Sequence, residues 1–257
     1  MTDVKTSKDS MKSFADIWDQ QVRHLWPESY PESLSNEFKK LNVSSILDCA
    51  GGTGYPAIEL KQMGWDVSYS DGSEVLTSLF KKRIEASDID IPNYLSRWES
   101  LTQHIPKTYD ALMCSGNSFI TINTYDNDLP FNNIEIERNM QQAVNEFYKM
   151  LNTNGVLYID LFNESYAFPK ETLNVSSKSD THQIVTTVDY DPVKNLRTSL
   201  TTTTSILNGS EEKLASKFIP IHSKELIRLL KEAGFSRVEY AATDDADYVD
   251  SFFAFKD

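Results

Sequence analysis

Apolar side chains first recur at helical spacing from Ser13 onward, where Phe14, Ile17, Trp18, Val22 and Leu25 share one face. Ser13 is placed as an N-cap with Asp16 in the first turn. Pro27 and Pro31 break this helix, and Leu34, Phe38 and Leu41 suggest a second, short one. The pattern then switches. Short apolar runs over residues 45–49, 66–70, 93–95, 111–114 and 156–161 predict five strands. Helical spacing fills the gaps between them. One helix follows the glycine-rich turn Gly51–Gly54 and ends near Gly64; another carries Val75, Leu76, Leu79, Phe80 and Ile84. A long one carries Ile136, Met140, Ala143, Val144, Phe147 and Leu151 and is stopped by Gly155. Such alternation predicts a mostly parallel sheet covered by helices on both faces.

The texture changes after Phe162. Residues 180–220 are rich in Thr, Val and Ile, with turn signals at Asp191-Pro192 and Asn208-Gly209. They read as three antiparallel strands, 182–190, 196–207 and 214–221. Ser223 then caps a helix holding Leu226, Ile227, Leu229 and Leu230, closed by Gly234. Strands at 238–241 and 251–255 finish the chain. The expected fold class is α/β: a doubly wound, mostly parallel seven-stranded sheet with an antiparallel β insertion after the fifth strand. Its parts are a helical cap at 1–43, a core at 44–162, the insertion at 163–222, and a helix with a strand pair at 223–257.

Composition narrows the partners. The chain has 257 residues, 38 acidic and 25 basic, and a formal net charge of -13. A duplex-binding protein needs a basic footprint, so nucleic acid and anionic membrane are excluded as expected partners. No apolar run approaches membrane-spanning length, and residues 1–13 carry no apolar signal-peptide core. The two cysteines, Cys49 and Cys114, both sit in apolar strand runs and read as buried free thiols. The expected location is the cytoplasm. Homo-oligomer contacts are expected, if anywhere, on the threonine-rich insertion. No Cys/His/Asp cluster has metal-ligand spacing.

The strongest chemical signal is Leu47-Asp48-Cys49-Ala50-Gly51-Gly52-Thr53-Gly54. Glycines between a strand and a helix let a ligand approach the backbone, and the helix start offers unpaired amides. Asp71, at the end of the second strand, can accept both hydroxyls of a ribose. The pair points to an adenosine-containing cofactor. Gly52, Gly54 and Ala57 also fit a dinucleotide fingerprint, which keeps an NAD(P)-dependent oxidoreductase open. Asp48 opposes that reading, because a carboxylate before the turn repels a pyrophosphate. It suits a cofactor carrying an ammonium and a sulfonium.

Residues 46–54 resemble the first motif of class I S-adenosylmethionine-dependent methyltransferases, and residues 66–73 resemble the second. Within that superfamily the chain most resembles glycine and sarcosine N-methyltransferases. The markers are Ser13–Asp19, Arg97-Trp98, and Tyr109–Cys114 followed by Gly116-Asn117-Ser118-Phe119. The likeness runs from about Ser13 to Asp160. It implies a Rossmann-like methyltransferase fold with S-adenosyl-L-methionine as cofactor. It implies that Asp48, Ala50, Gly52 and Gly54 line the methionine part, that Asp71 and Gly72 hold the ribose, and that Trp98 packs on the adenine, with Arg97 and Cys114 nearby. Asn117 and Asn163 are the implied catalytic pair. Trp18, Asn117, Ser118, Phe162, Asn163 and Phe218 are the implied substrate contacts, with the insertion lying over them.

The departures concern the acceptor. Where relatives carry a carboxylate-binding arginine after the fifth strand, this chain has Phe162, and Phe218 stands where they tend to show tyrosine. A phenyl ring cannot make the bidentate pair that recognises a carboxylate. Trp18, Trp26, Tyr30, Phe162, Tyr166 and Phe218 are candidate aromatic walls, and His222 is a candidate proton acceptor. The expected reaction is methyl transfer to the amine nitrogen of a small metabolite, with an acceptor lacking an essential carboxylate. O-methylation of a natural product, glycine/sarcosine N-methylation proper and a non-catalytic cofactor-binding role stay open as alternatives.

Overall fold

The computed structural model describes residues 26–123, 133–178 and 180–257. The predicted first helix, and Trp18 with it, lies outside the described residues. Helix α1 (Tyr30–Lys40) comes first, followed by β1 (Ser45–Asp48), α2 (Ala57–Gln62), β2 (Asp66–Asp71), α3 (Glu74–Ala86) and β3 (Asn93–Leu95). A 3-10 turn and the short α4 (Leu101–His104) lead to β4 (Tyr109–Cys114). A second 3-10 segment (Ser118–Asn123), α5 (Asn133–Met150) and β5 (Leu151–Phe162) follow. Beyond them lie α6 (Glu164–Ala167), β6 (Leu173–Lys178), β7 (His182–Asp191), β8 (Leu196–Ser205) and β9 (Glu211–Phe218). Helix α7 (Ser223–Ala233) and strands β10 (Arg237–Tyr240) and β11 (Val249–Phe255) close the chain.

Seven strands form one sheet in the order β10-β11-β5-β4-β1-β2-β3. β1 through β5 pair in parallel, whereas β11 runs antiparallel to both β5 and β10. The expected class is therefore met. Side-chain alternation splits each central strand between two cores. Leu47, Cys49, Leu112, Cys114, Leu157 and Ile159 face α5 and α7, with Phe147 and Leu229 among their partners. Ile46, Ala111, Met113, Val156, Tyr158 and Phe253 face α1 through Leu34 and Phe38. The chain reverses its direction of growth at β1, which is flanked by β4 and β2. Open parallel sheets bind ligands outside the carboxyl ends of the strands at such a switch point.

Three local expectations are corrected. Helix α5 ends at Met150, not at Gly155, and β5 starts at once. The β4–β5 register jumps from Tyr109↔Leu151 to Ala111↔Val156, so residues 152–155 bulge out of the strand. A Cβ on Gly155 would stand 2.8 Å from the Asn152 carbonyl, so glycine serves the bulge, not a helix stop. The insertion has four strands, not three, in the order β6-β7-β8-β9. β6 escapes a hydrophobic reading because its inward positions are only Leu173, Val175 and Ser177. Finally, His222 occupies the cap position of α7 and Ser223 is its first residue, while Gly234 ends the helix at φ 110° as expected.

Candidate functional site

The glycine turn after β1 and the Ser115–Ser118 turn after β4 face each other across the switch point. Together they line a cleft that is open to solvent, with Trp26, Tyr30, Thr53, Tyr55 and Pro56 completing its wall. Ala50, Gly52 and Ser118, all expected at the site, line it directly. Trp26 and Tyr30 do so as expected aromatic walls.

Glycine is required in the turn by packing. A Cβ on Gly51 would come within 2.3 Å of the Tyr69 ring, which is itself stacked on Phe80 at 3.8 Å. Gly54 adopts φ +109°, and a Cβ there would meet Ile58 at 2.7 Å and Phe80 at 2.8 Å. Tyr69 Oη donates to the Gly52 carbonyl at 2.8 Å, which pins the turn to β2. Asp71 completes the brace: its Oδ2 accepts from Gly52 N at 2.9 Å and its Oδ1 from Ser73 N at 2.7 Å.

Asp48 is fully buried, and Ala50 N donates to its Oδ1 at 3.1 Å. Its Oδ2 has no hydrogen-bond partner among the described residues. Burial pushes its pKa up to about 8; the Ala50 amide opposes the rise, and the charges of Asp71 and Asp160 add to it. Asp160, near the end of β5, was not singled out from the sequence. It accepts from Gly116 N at 2.9 Å and Asn117 N at 2.5 Å, and so holds the turn after β4. Burial raises its pKa to about 7 against the pull of those two amides. An acid near the end of an otherwise apolar strand was the available signal. The carboxyl ends of β1, β2 and β5 thus place three buried acids behind the turns that line the cleft. Burial favours the protonated forms of Asp48 and Asp160, and a cation bound beside them would favour their ionised forms.

Asn117 stands between the lining residues Gly116 and Ser118 at φ +56° and is 5% exposed. Its Oδ1 is a second buried acceptor without a hydrogen-bond partner among the described residues. Ser118 Oγ donates to the Ser115 carbonyl at 2.7 Å, which closes the turn. Trp98 is half-buried, and its indole N–H donates to the Cys49 carbonyl at 2.5 Å. That bond fixes the ring beside the end of β1, against Phe119 and Phe147. Arg97 pairs with Glu99 at 3.9 Å. Gly72 directly follows Asp71 and precedes Ser73, whose hydroxyl caps α3.

Other expected site residues are used differently. Asn163 caps α6: its Oδ1 accepts from Tyr166 N at 3.1 Å, while its Nδ2 donates to the Asp247 carbonyl at 2.9 Å. Both ends of the amide thus make hydrogen bonds within the fold. Cys114 is fully buried in the α5-side core, and desolvation pushes its thiol well above the ordinary range. It backs the site instead of lining it. His222 stacks on Phe168 at 4.1 Å and pairs with Glu164 at 2.8 Å.

Phe162, Tyr166 and Tyr248 form a separate aromatic cluster at the end of β5, with ring centroids 5.1–6.1 Å apart. Phe218 packs on the α5-side core. No metal-ligating cluster occurs among the described residues, and no helix among them is long and apolar enough to cross a membrane.

No protein-family model matches the chain. It is similar to the glycine/sarcosine N-methyltransferase of Aphanothece halophytica, with 30% identity over 152 residues, 58% of this chain and 52% of that protein. The Halorhodospira halochloris protein of the same name is 32% identical over 158 residues, covering 60% and 53%. The glycine/sarcosine/dimethylglycine N-methyltransferase of Actinopolyspora halophila is 26% identical over 230 residues, covering 88% and 37%. The chain spans about half the length of the first two relatives. Among solved structures, an S-adenosylmethionine-dependent methyltransferase from Clostridium acetobutylicum superposes with TM-score 0.70 at 12% identity, covering 96% and 98% of the two chains. The sugar N-methyltransferase KedS8 from Streptoalloteichus gives TM-score 0.66 at 14% identity, covering 94% and 92%. The chain thus carries the fold of S-adenosylmethionine-dependent methyltransferases, and its sequence is similar to the glycine/sarcosine N-methyltransferases.

Proposed function

We propose that this chain transfers a methyl group from S-adenosyl-L-methionine to the amine nitrogen of a small metabolite. The observation that carries this reading is the buried, unpartnered Oδ2 of Asp48 at the head of a glycine turn that opens on the cleft. An orphaned buried carboxylate is costly unless a cation or donor meets it. A dinucleotide would bring a pyrophosphate to the same place and raise that cost, so the oxidoreductase alternative is set aside.

The residues present fit the cofactor. Asp48, Ala50, Gly52 and Gly54 would hold its amino-acid part, Asp71 its ribose, and Trp98 would lie against the base. When bound, it supplies a methyl group on a cationic sulfur, already activated for displacement. The chain's own residues contribute position and environment. Asp71 and Tyr69 fix the turn, so that its amides are set before a ligand arrives. Asn117 Oδ1 is an acceptor for an amine N–H, and Asp160 holds the Asn117 backbone in place. Near-attack alignment of this kind supplies roughly 7–11 kcal/mol of rate acceleration. The amine must lose its proton to solvent before it attacks. Burial beside the cofactor's cationic sulfonium would lower its pKa, so no dedicated base is required.

The test is binding followed by turnover. Isothermal titration should show binding of S-adenosylmethionine and none of NADH. Incubation with a panel of amines should release S-adenosylhomocysteine. Asp71→Ala should weaken cofactor binding on the order of 100-fold, since a charge-assisted contact and the brace on Gly52 are lost together. Cofactor binding that survives Asp71→Ala, or tight NADH binding, sinks the assignment.

A further inference from the structure

Two of the aromatic residues that line the cleft are held from a distance. Trp26 and Tyr30 stand just before and at the start of α1, with ring centroids 4.4 Å apart. Tyr30 is 1% exposed, and its Oη donates to Tyr158 Oη at 3.2 Å. Tyr158, fully buried on β5, donates in turn to Asp245 Oδ1 at 2.8 Å, and Ser251 Oγ lies 3.1 Å from the same hydroxyl. Thr243 Oγ1 donates to the other Asp245 oxygen at 2.6 Å. A carboxylate oxygen only accepts, so Tyr158 turns its proton toward Asp245, and Tyr30 turns its own toward Tyr158. The chain of donors runs one way, from the cleft wall to Asp245.

Asp245 belongs to residues 241–248, between β10 and β11. The same segment meets the α1 region at further points. Asp244 accepts from Ser29 Oγ, and its N–H donates to Ser33 Oγ at 2.9 Å. Tyr248 hydrogen-bonds the Trp26 indole. The far end of the segment is tied to the end of β5, where Asn163 N donates to the Tyr248 carbonyl at 2.9 Å and Asn163 Nδ2 to the Asp247 carbonyl at 2.9 Å. A segment anchored on the sheet thus carries the wall of a cleft that it does not itself line.

We infer that Asp245 is a positioning residue of the cofactor cleft: through Tyr158 it sets where Tyr30, and Trp26 packed on it, stand against a bound ligand. A buried hydroxyl that loses its partner is left unsatisfied in the core, so the chain is favoured in one complete arrangement and a break at its end does not stay local. This rests on the proposed cofactor, because the glycine turn assigned to its amino-acid part lines the same cleft. The competing role is a tie that stabilises the fold and leaves the cleft unchanged.

A double-mutant cycle read by isothermal titration separates the two. Asp245→Ala should weaken S-adenosylmethionine binding about fivefold, the scale of one lost hydrogen bond. Asp245→Asn, which keeps an acceptor oxygen for Tyr158, should bind within about twofold of the unaltered chain and guards against a misfolded alanine variant. Tyr158→Phe should match Asp245→Ala, and the two together should be no worse than either alone. Asp244→Ala, which acts through Ser29 and Ser33, should instead add to Tyr158→Phe. A ligand-free arm uses fluorine NMR of the 5-fluorotryptophan-labelled chain, with the Trp26 resonance assigned by Trp26→Phe. That resonance should move in Asp245→Ala and Tyr158→Phe and return in Asp245→Asn. Additive losses from Asp245→Ala and Tyr158→Phe overturn the inference. So does an Asp245→Ala chain that melts earlier while its cofactor affinity and Trp26 resonance stay put. An unaltered chain that binds no S-adenosylmethionine would defeat the methyltransferase reading instead, and the Trp26 resonance would still decide whether Asp245 positions the wall.

Discussion

The two ends of the site are built in opposite ways. The β1–β2 end is local: Asp48, the glycine turn and Asp71 lie within one βαβ unit and are braced by each other. The β5–insertion end is assembled from distant parts: Phe162 ends β5 and Tyr166 follows it, Arg197 comes from β8, and Tyr248 precedes β11. A local constellation depends on backbone geometry that only certain residues can adopt. A dispersed one depends on register and on how two sheets meet, so no short stretch of sequence reveals it. Arg197, brought from β8 over the Phe162 ring at 4.3 Å, is such a contact.

The largest effect that would break this contrast is expected in the turn. Gly51→Ala drives a methyl group into the Tyr69 ring, and overpacking of this kind costs about 3 kcal/mol. Thermal unfolding should show that loss together with loss of cofactor binding. Gly209→Ala, with open space around it, should cost about 1 kcal/mol for its positive φ and leave binding intact. If the two variants behave alike, the turn is less constrained than its packing indicates.

Asp48 sharpens the electrostatic half. Folded Asp48 keeps its proton up to about pH 8, whereas an unfolded aspartate loses it near 3.8. Between those values the native state binds more protons, so stability should fall as pH rises. Asp160, raised to about 7, acts in the same direction. Asp48→Asn should therefore flatten part of the decline, gaining a few kcal/mol of stability near pH 8 while weakening cofactor affinity. Denaturant unfolding at pH 5 and pH 8 checks the first effect, and calorimetry in buffers of different ionisation enthalpy should detect proton release when the cofactor binds the unaltered chain. A pH-independent stability difference would mean that Asp48 is charged throughout.

On the opposite side, Phe162→Ala should cost about 2 kcal/mol, combining a half-buried ring with the lost face under Arg197. It should raise acceptor KM with cofactor affinity unchanged. A fall in cofactor affinity of equal size would merge the two ends into one cooperative unit. The smallest effect is expected at Asn163→Ala, which removes a helix cap worth about 1 kcal/mol and leaves kcat alone. A large kcat loss at unchanged stability would restore this asparagine to the chemistry.

Legibility followed the same division. The seven-stranded sheet was readable because its strands and helices carry clear periodicities, and the turn was readable because Gly51 and Gly54 are dictated by contacts within one unit. The four-strand insertion was under-read because β6 has so few apolar inward positions. Asn163 was expected at the site from its place in the chain; that it also caps α6 shows only in its hydrogen bonds. Asp245, between β10 and β11, accepts a part-buried hydrogen bond from Tyr158 Oη at 2.8 Å, a long-range contact that no local pattern signals.

By itself, the sequence determined the α/β class, the switch-point turn and the acid pair Asp48 and Asp71, because each follows from periodicity or from the short-range sterics of glycine. Only the tertiary structure decided that Asp160 joins those acids, that Asn163 is spent on a helix, and that a cation stands at the end of β5. Those outcomes depend on which distant side chains share a buried volume, where an unpaired charge or acceptor is costly enough to reveal what it awaits.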